Sequence, residues 1–398
     1  MLNLRVCVSI GGSADGKSAP GGFSLSTHLG PNLDRQVRCN PYQANGLGPW
    51  CTMTSEMIRR DDVEFHEKRS RMGRQMGIQV VGLGSSVPDL LVTNDEFASL
   101  GSDAEWIVQR TGIRERRHAP PGVTTSDLAV KAALRCIEDA NVDPQDIDLL
   151  LLGTMTPDMP LPATACSVQE RLGIRAPAMD LHAACAGFVY SLITATQFIA
   201  SGTSQLALII GAECNSRLTD PNDRSTYPLF GDGAGAVLIS PGSQRQGLLS
   251  FAIGADGSGA DLLCCQMGGA QLPFSTDPKL AGLQYLQMEG RAIFKWAIRM
   301  LGETIGDVLS AADAKLDEVD LVVFHQANSR IIDSTVNMLG IDESKVFKNL
   351  DRYGNTSAAS IPLALDEAHR AGRIKSGDLV LLSGFGAGLA WGTILMRW

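Results

Sequence analysis

The sequence has no long apolar run, no paired-cysteine spacing and no surplus of positive charge, and each absence removes a class of function. No stretch approaches the roughly 20 apolar residues that cross a bilayer, and the first apolar segment, residues 2–10, is broken by Arg5. Neither a membrane protein nor a signal peptide is expected, which makes the cytoplasm the expected location. The nine cysteines contain no C-x-x-C, and the one close pair is the adjacent Cys264 and Cys265; neither a disulfide framework nor a zinc site is indicated, and no metal is expected. With 34 Lys and Arg against 43 Asp and Glu, a net charge of −9 and a pI near 5.2, the chain lacks the electrostatic footprint of a nucleic-acid or anionic-membrane binder. A polyanionic partner would have to be recognised by a local patch.

What is present is an ordinary globular composition, 44% apolar and 19% charged over 398 residues, with two textures. Residues 1–75 are rich in Gly, Pro, Ser and Asn without sustained periodicity. They read as a weakly ordered arm or an over-extended start, with Met72 or Met76 as the true initiator. From Met76 onward, strand-like and helix-like segments alternate, the mark of an α/β fold. Continuous apolar runs predict buried strands over 149–152, 206–211, 236–239, 321–324 and 379–382, and helical spacing predicts helices over 125–140, 162–172, 186–200, 292–311 and 357–371. The halves, 76–250 and 251–398, end alike, in glycine-rich runs over 230–237 and 384–392. This suggests a duplicated unit. Neither run is a G-x-G-x-x-G, since Ala236 and Leu389 stand at the last glycine; a dinucleotide site is not expected, and both read as tight turns.

Chemistry enters at Cys185, in the run Met179-Asp180-Leu181-His182-Ala183-Ala184-Cys185-Ala186-Gly187-Phe188. Phe188, Leu192, Ala195 and Ile199 follow at helical spacing, with Gly202 as a stop signal. A thiol at a helix start faces free N–H groups and the positive end of the helix dipole, and is expected to have a lowered pKa. The competing reading is a buried structural cysteine. His325, at the end of a predicted strand, reads as a ligand-facing or a core histidine. The segment Gly354-Asn355-Thr356-Ser357-Ala358-Ala359-Ser360 reads as a turn and helix start.

Together these segments, with Glu105 to Arg114 (EWIVQRTGIR), Gly231 to Ala236, His325 to Asn328 and Gly384 to Gly392, resemble the thiolase-fold condensing enzymes, and within them the 3-oxoacyl-[acyl-carrier-protein] synthase III family, over 76–398. The resemblance implies a five-layered αβαβα sandwich of two pseudo-duplicated halves and a homodimer. It implies a Cys185 acyl-enzyme formed from an acyl-CoA, with the tetrahedral oxyanion stabilised by the Cys185 and Ala387 backbone N–H groups. Malonyl-acyl carrier protein would then lose carbon dioxide against two neutral donors, His325 and Asn355, and its carbanion would attack the acyl group. CoA is expected on Trp106, Arg110, Arg224 and Asn328, and the carrier protein on Gln326, Ala327, Asn328, Ser329 and Arg330, with Asn337 where some relatives have lysine. Leu161 falls near a position that limits the acyl pocket in relatives. No cofactor is implied beyond the two thioester substrates. The alternatives are a chalcone-type polyketide synthase or a synthase III-like secondary-metabolite acyltransferase, and, from another class, a non-catalytic assembly subunit. Against the last, all three catalytic residues are present.

Overall fold

Leucine, isoleucine and valine in short unbroken runs are buried on both faces only when helices cover both sides of a sheet, and the chain folds accordingly. The computed structural model describes residues 70–398; the arm expected over 1–75 lies outside the described residues except for its last six. In the first half β1 (Arg71–Met76), β2 (Ile78–Ser86), β3 (Leu91–Thr93), α1 (Ala104–Thr111), β4 (Glu115–Arg117) and α2 (Thr125–Ala140) lead to β5 (Leu149–Gly153). Then come α3 (Thr164–Leu172), β6 (Ala178–Leu181), α4 (Gly187–Ala200), β7 (Ala207–Cys214) and β8 (Asp232–Pro241). The second half holds β9 (Gly247–Ala255), β10 (Leu263–Cys264), β11 (Gln287–Met288), α5 (Gly290–Ala311), β12 (Leu321–Phe324) and α6 (Ser329–Leu339). It closes with α7 (Leu350–Tyr353), α8 (Ser360–Arg370), β13 (Leu379–Gly386) and β14 (Ala390–Arg397).

Two five-stranded mixed sheets result, ordered β2-β8-β7-β5-β6 and β1-β9-β14-β13-β12. The first is parallel at β6-β5-β7 and the second at β12-β13. Between them α4 and α8 form the middle layer: Phe188, Leu192, Ile361 and Leu365 join one core with Leu151 and Ile209 of the first sheet and Val323 and Leu382 of the second. On the outer face of the first sheet, α2 and α3 pack Leu128, Ala132, Ile137 and Val168 against Leu150 and Leu208. On the outer face of the second, α5 and α6 pack Trp296, Leu301 and Ile332 against Val322 and Leu381. These are the five layers of a thiolase fold. Among the described residues no helix is long and apolar enough to cross a membrane.

Local sequence explains the better-placed elements. Helix α2 spans the expected residues because Thr124 and Asp127 close a reciprocal capping box at its start, while Asn141 ends it in the left-handed conformation. Two expectations change. Residues 71–75, counted with the irregular arm, belong to a strand: β1 pairs antiparallel with β9, from Arg71 opposite Ile253 to Met76 opposite Gly247. The first strand therefore lies in the sheet of the second half, and β9 brings residues 247–250 there as well. Within the glycine-rich run over 230–237, residues 232–237 belong to a buried strand, β8, rather than a tight turn. Its small residues have no bulk to hold helix α8 away, and α8 packs on it.

Candidate active site

Cys185 sits where the end of β6 turns into α4, in the short 3₁₀ turn Ala184–Ala186 that runs into the helix. Ala184, just before it, takes a φ of 45°, a left-handed conformation that costs a non-glycine residue of order 1–3 kcal/mol and aims the next side chain out of the helical path. The end of β13 lies against this turn. A Cβ on Gly386 would stand 2.6 Å from the Cys185 nitrogen, a contact that only glycine permits. The Cys185 N–H and the loop carrying Ala387 are thereby neighbours, the pair expected to form an oxyanion hole.

The thiol is 5% exposed, and burial reverses the expected direction of its pKa, pushing it up to about 12. The Ser357 side chain and the cysteine's own backbone N–H pull the other way, while the Glu213 carboxylate nearby adds to the rise. Stabilisation at the helix start does not outweigh the loss of water around the charged form.

His325 follows β12 and is 2% exposed. Its ring is edge-on to Phe385 with centroids 5.3 Å apart, and its Nδ1 lies 2.7 Å from the Ser360 Oγ. Ser360 Oγ also accepts the Gln326 N–H at 3.4 Å; in the tautomer whose Nδ1 accepts the Ser360 hydroxyl hydrogen, the imidazole carries its own hydrogen on Nε2. Burial pulls its pKa down to about 3. The ring is therefore neutral through the working pH range. Asn355, 7% exposed, is held by both backbone groups: its N–H donates to the Leu229 carbonyl at 2.8 Å, and its carbonyl accepts from Gly231 at 3.0 Å. Its Oδ1 accepts from the Ser357 N–H at 2.8 Å, so what its side chain has left to offer is the amide N–H₂.

Sequence reasoning passed over Glu213. It is fully buried at the end of β7 and accepts hydrogen bonds from Thr154, Met155, Thr156 and Ser357. The available signal was a single acid inside an otherwise apolar strand.

Trp106, at 36% exposure, is flanked by the expected arginines, with the Arg110 and Arg224 guanidinium carbons 5.6 and 5.8 Å from its ring centroid. Asn328 joins this cluster by donating from Nδ2 to the Arg110 carbonyl at 3.3 Å, while its Oδ1 caps α6 through the Arg330 N–H at 2.9 Å. The carrier-protein segment divides. Arg330 is exposed and lies over Phe294 at 5.7 Å, and Ala327, Asn328 and Ser329 are partly exposed. Gln326, 1% exposed, cannot meet a partner: its Nε2 donates to the Phe324 carbonyl at 2.7 Å and its Oε1 accepts from the Asn349 N–H at 3.2 Å. Leu161 is 83% exposed, so within one chain it closes no acyl pocket.

The comparisons with known proteins agree with this architecture. Residues 179–257 match the family described as 3-oxoacyl-[acyl-carrier-protein (ACP)] synthase III, and 309–398 match its C-terminal domain. A beta-ketoacyl-[acyl-carrier-protein] synthase III of Rhodopirellula baltica is 54% identical over 345 residues, 82% of this chain and all of the relative. The crystal structure of 3-oxoacyl-[acyl-carrier-protein] synthase III from Aquifex aeolicus VF5 superposes with a TM-score of 0.75 at 41% identity, over 81% of this chain and all of that one. The priming beta-ketosynthase of the R1128 polyketide biosynthetic pathway superposes with a TM-score of 0.74 at 36% identity, over 82% and 98%. With the Cys185 turn, the two buried donors and the five layers all in place, the chain belongs to the 3-oxoacyl-[acyl-carrier-protein] synthase III family, the thiolase-fold condensing acyltransferases of fatty acid synthesis.

Proposed function

We propose that the chain initiates fatty acid synthesis by moving an acyl group from CoA to Cys185 and condensing it with malonyl-acyl carrier protein. What supports this reading is that the Cys185 turn packs on the end of β13, where Phe385 meets the His325 ring, and on the turn that follows Asn355. The thiolate attacks the acyl thioester, and the Cys185 and Ala387 N–H groups stabilise the tetrahedral oxyanion. CoA leaves, malonyl-carrier protein enters and loses carbon dioxide, and negative charge builds on its thioester oxygen. His325 Nε2–H and the Asn355 amide meet that charge as preorganised neutral donors. The carbanion then attacks the Cys185 acyl group and releases 3-oxoacyl-carrier protein. Both thioesters are substrates, and no step requires a resident cofactor.

The flat face of Trp106 between two guanidinium groups suits an adenine and its phosphates, and Arg330 on an exposed helix start suits an acidic carrier protein. The halves 76–250 and 251–398 supply the nucleophile and the donors respectively. A homodimer is part of the same reading: Leu161 and Met159, 83% and 48% exposed on one loop, are apolar surface of the kind that an interface covers.

The test is intact mass after incubation with a panel of acyl-CoAs, followed by malonyl-carrier protein. One acyl mass on wild type and none on Cys185→Ser is expected, with 3-oxoacyl-carrier protein formed only by wild type. No adduct, or wild-type turnover by Cys185→Ser, overturns the reading. Product made from free malonyl-CoA in place of the carrier-bound form favours a polyketide-type extension, the reading that the R1128 similarity keeps in view.

A further inference from the structure

A buried thiol pushed up to about 12 needs a place to put its proton when it attacks, and neither His325 nor Asn355 is built for that. His325 pairs at Nδ1 with the Ser360 hydroxyl at 2.7 Å and is held neutral by burial, a weak base, and the Asn355 amide is not basic. The structure offers one other group. Glu213 ends strand β7 with 0% exposure, in a strand otherwise made of apolar and small residues. A carboxylate in that position is costly unless it is used or fully satisfied. Its Oε2 accepts from Thr156 Oγ1 at 2.6 Å, Thr154 Oγ1 at 3.1 Å and the Thr156 N–H at 3.1 Å, and the Met155 N–H donates to it as well. Its Oε1 accepts from the Ser357 hydroxyl at 3.1 Å. The turn carrying Ser357 packs on the Cys185 turn, and the Ser357 hydroxyl acts to lower the thiol's pKa. A single hydroxyl thus holds a buried carboxylate from a turn that packs on the nucleophile's own turn.

The backbone holds this arrangement in place. Ser357 takes a left-handed φ of 52°, and a Cβ on Gly211, two residues before Glu213, would stand 2.2 Å from the Ala358 carbonyl oxygen. The turn carrying Ser357 therefore lies directly on the strand carrying Glu213, while the Cys185 turn packs against the same turn from the other side.

We propose that Glu213 takes up the proton of the Cys185 thiol, through the Ser357 hydroxyl, when the thiol attacks an acyl thioester. The S–H proton passes to Ser357 Oγ as the Ser357 hydroxyl proton passes to Glu213 Oε1. The freed sulfur electron pair forms the new S–C bond, the bond from the acyl carbon to the departing sulfur breaks, and the departing thiolate takes the proton back. Nothing is oxidised or reduced, and Glu213 ends ionised as it began. Glu213 touches no reacting atom and is a positioning residue that holds a proton. Burial raises its pKa to about 7 against the pull of its donors, so its ionised form is available at neutral pH and its protonated form is accessible. The titratable groups facing it are the Cys185 and Cys214 thiols; the hydrogen-bond donors to it are all neutral.

The proposal rests on Cys185 being the acyl acceptor, and its test reads the thiol without an acyl donor. Iodoacetamide alkylation of Cys185 in the full-length chain, followed by peptide mass spectrometry from pH 5.5 to 10, is expected to rise tenfold per pH unit below 7 and to level off above it. A rate that climbs tenfold per unit through the whole range shows a thiol ionising alone and overturns the relay. Glu213→Gln and Ser357→Ala are each expected to slow alkylation at pH 7.5 at least tenfold and to lose the break near pH 7. Unchanged or faster alkylation in Glu213→Gln overturns the proposal, since a carboxylate acting only as a like charge would free the thiol on removal. Should either variant fail to fold by circular dichroism, the wild-type profile decides alone. A relay that behaves as expected in a chain that takes no acyl group from any CoA thioester overturns the proposed function and leaves the relay standing.

Discussion

His325 and Asn355 have the same neighbours' logic: each has its acceptor atom engaged by the protein and presents hydrogens instead. Ser360 engages Nδ1 of one and the Ser357 N–H engages Oδ1 of the other. Replacing either with alanine is expected to leave acylation of Cys185 intact by mass while lowering 3-oxoacyl product about a hundredfold, the effect of about 3 kcal/mol that one preorganised donor contributes. Equal loss of both half-reactions would show that the residue holds up the site as a whole. The His325 imidazole also ties stability to pH. Its folded pKa lies near 3 against an ordinary 6.5, so below 6.5 the unfolded chain takes a proton that the folded chain refuses. Its contribution is fully present above pH 6.5 and is lost as pH falls toward 3. Between pH 6.5 and 5 this amounts to about 2 kcal/mol. Urea midpoints are expected to fall less steeply over that interval in His325→Gln than in wild type; parallel curves would refute the assignment.

At the level of elements, the site is made of chain turns that meet over the ends of strands. The Cys185 turn leaves β6, the segment carrying His325 leaves β12, and the turn carrying Ser357 lies on β7. Glycines at the contacts allow this. Gly211→Ala would drive a methyl into the Ala358 carbonyl, 2.2 Å from the Cβ position, and overpacking of this kind typically costs about 1–3 kcal/mol. The expected result is a lower urea midpoint with an unchanged slope, together with slower acyl uptake because Ser357 moves with its turn. A wild-type midpoint would mean that the turn yields freely. Several of these elements were legible in the sequence. The helix over 125–140 carried its own cap and stop, and the strand over 321–324 was an apolar run bounded by Asp320 and His325. The strand over 232–241 was legible only at its apolar run 236–239, because the glycines and alanines before it have no period to read and their role is to let α8 approach.

In the whole molecule, the first and second halves are not sealed from one another: β1 crosses to the sheet of the second half, pairs with β9 along that edge, and places Ser70 where its Oγ accepts from Trp391 Nε1 at 3.0 Å. A chain beginning at Met76 would leave the β9 edge unpaired, and an unpaired edge strand invites association. Such a chain is expected to melt at a lower temperature than one beginning at Arg71 and to aggregate sooner by light scattering. Identical melting would show that β1 adds nothing to the fold. The same architecture sets the environment of Cys185, since the middle layer of α4 and α8 is enclosed by both sheets and water reaches the thiol poorly.

The sequence by itself determined the α/β class and the Cys185 turn, because apolar period and turn signals are local properties of the chain, and resemblance to a known family added His325 and Asn355. Tertiary structure alone decided the charge state of those residues. The dipole argument at a helix start predicts a lowered thiol pKa, and burial between the two sheets raises it. Gln326, placed by its motif at a partner surface, is turned inward by hydrogen bonds to Phe324 and Asn349. Glu213 and Ser357, 144 positions apart, become neighbours only when β7 and the turn before α8 are stacked, and no local signal records a contact made across the junction of the two halves.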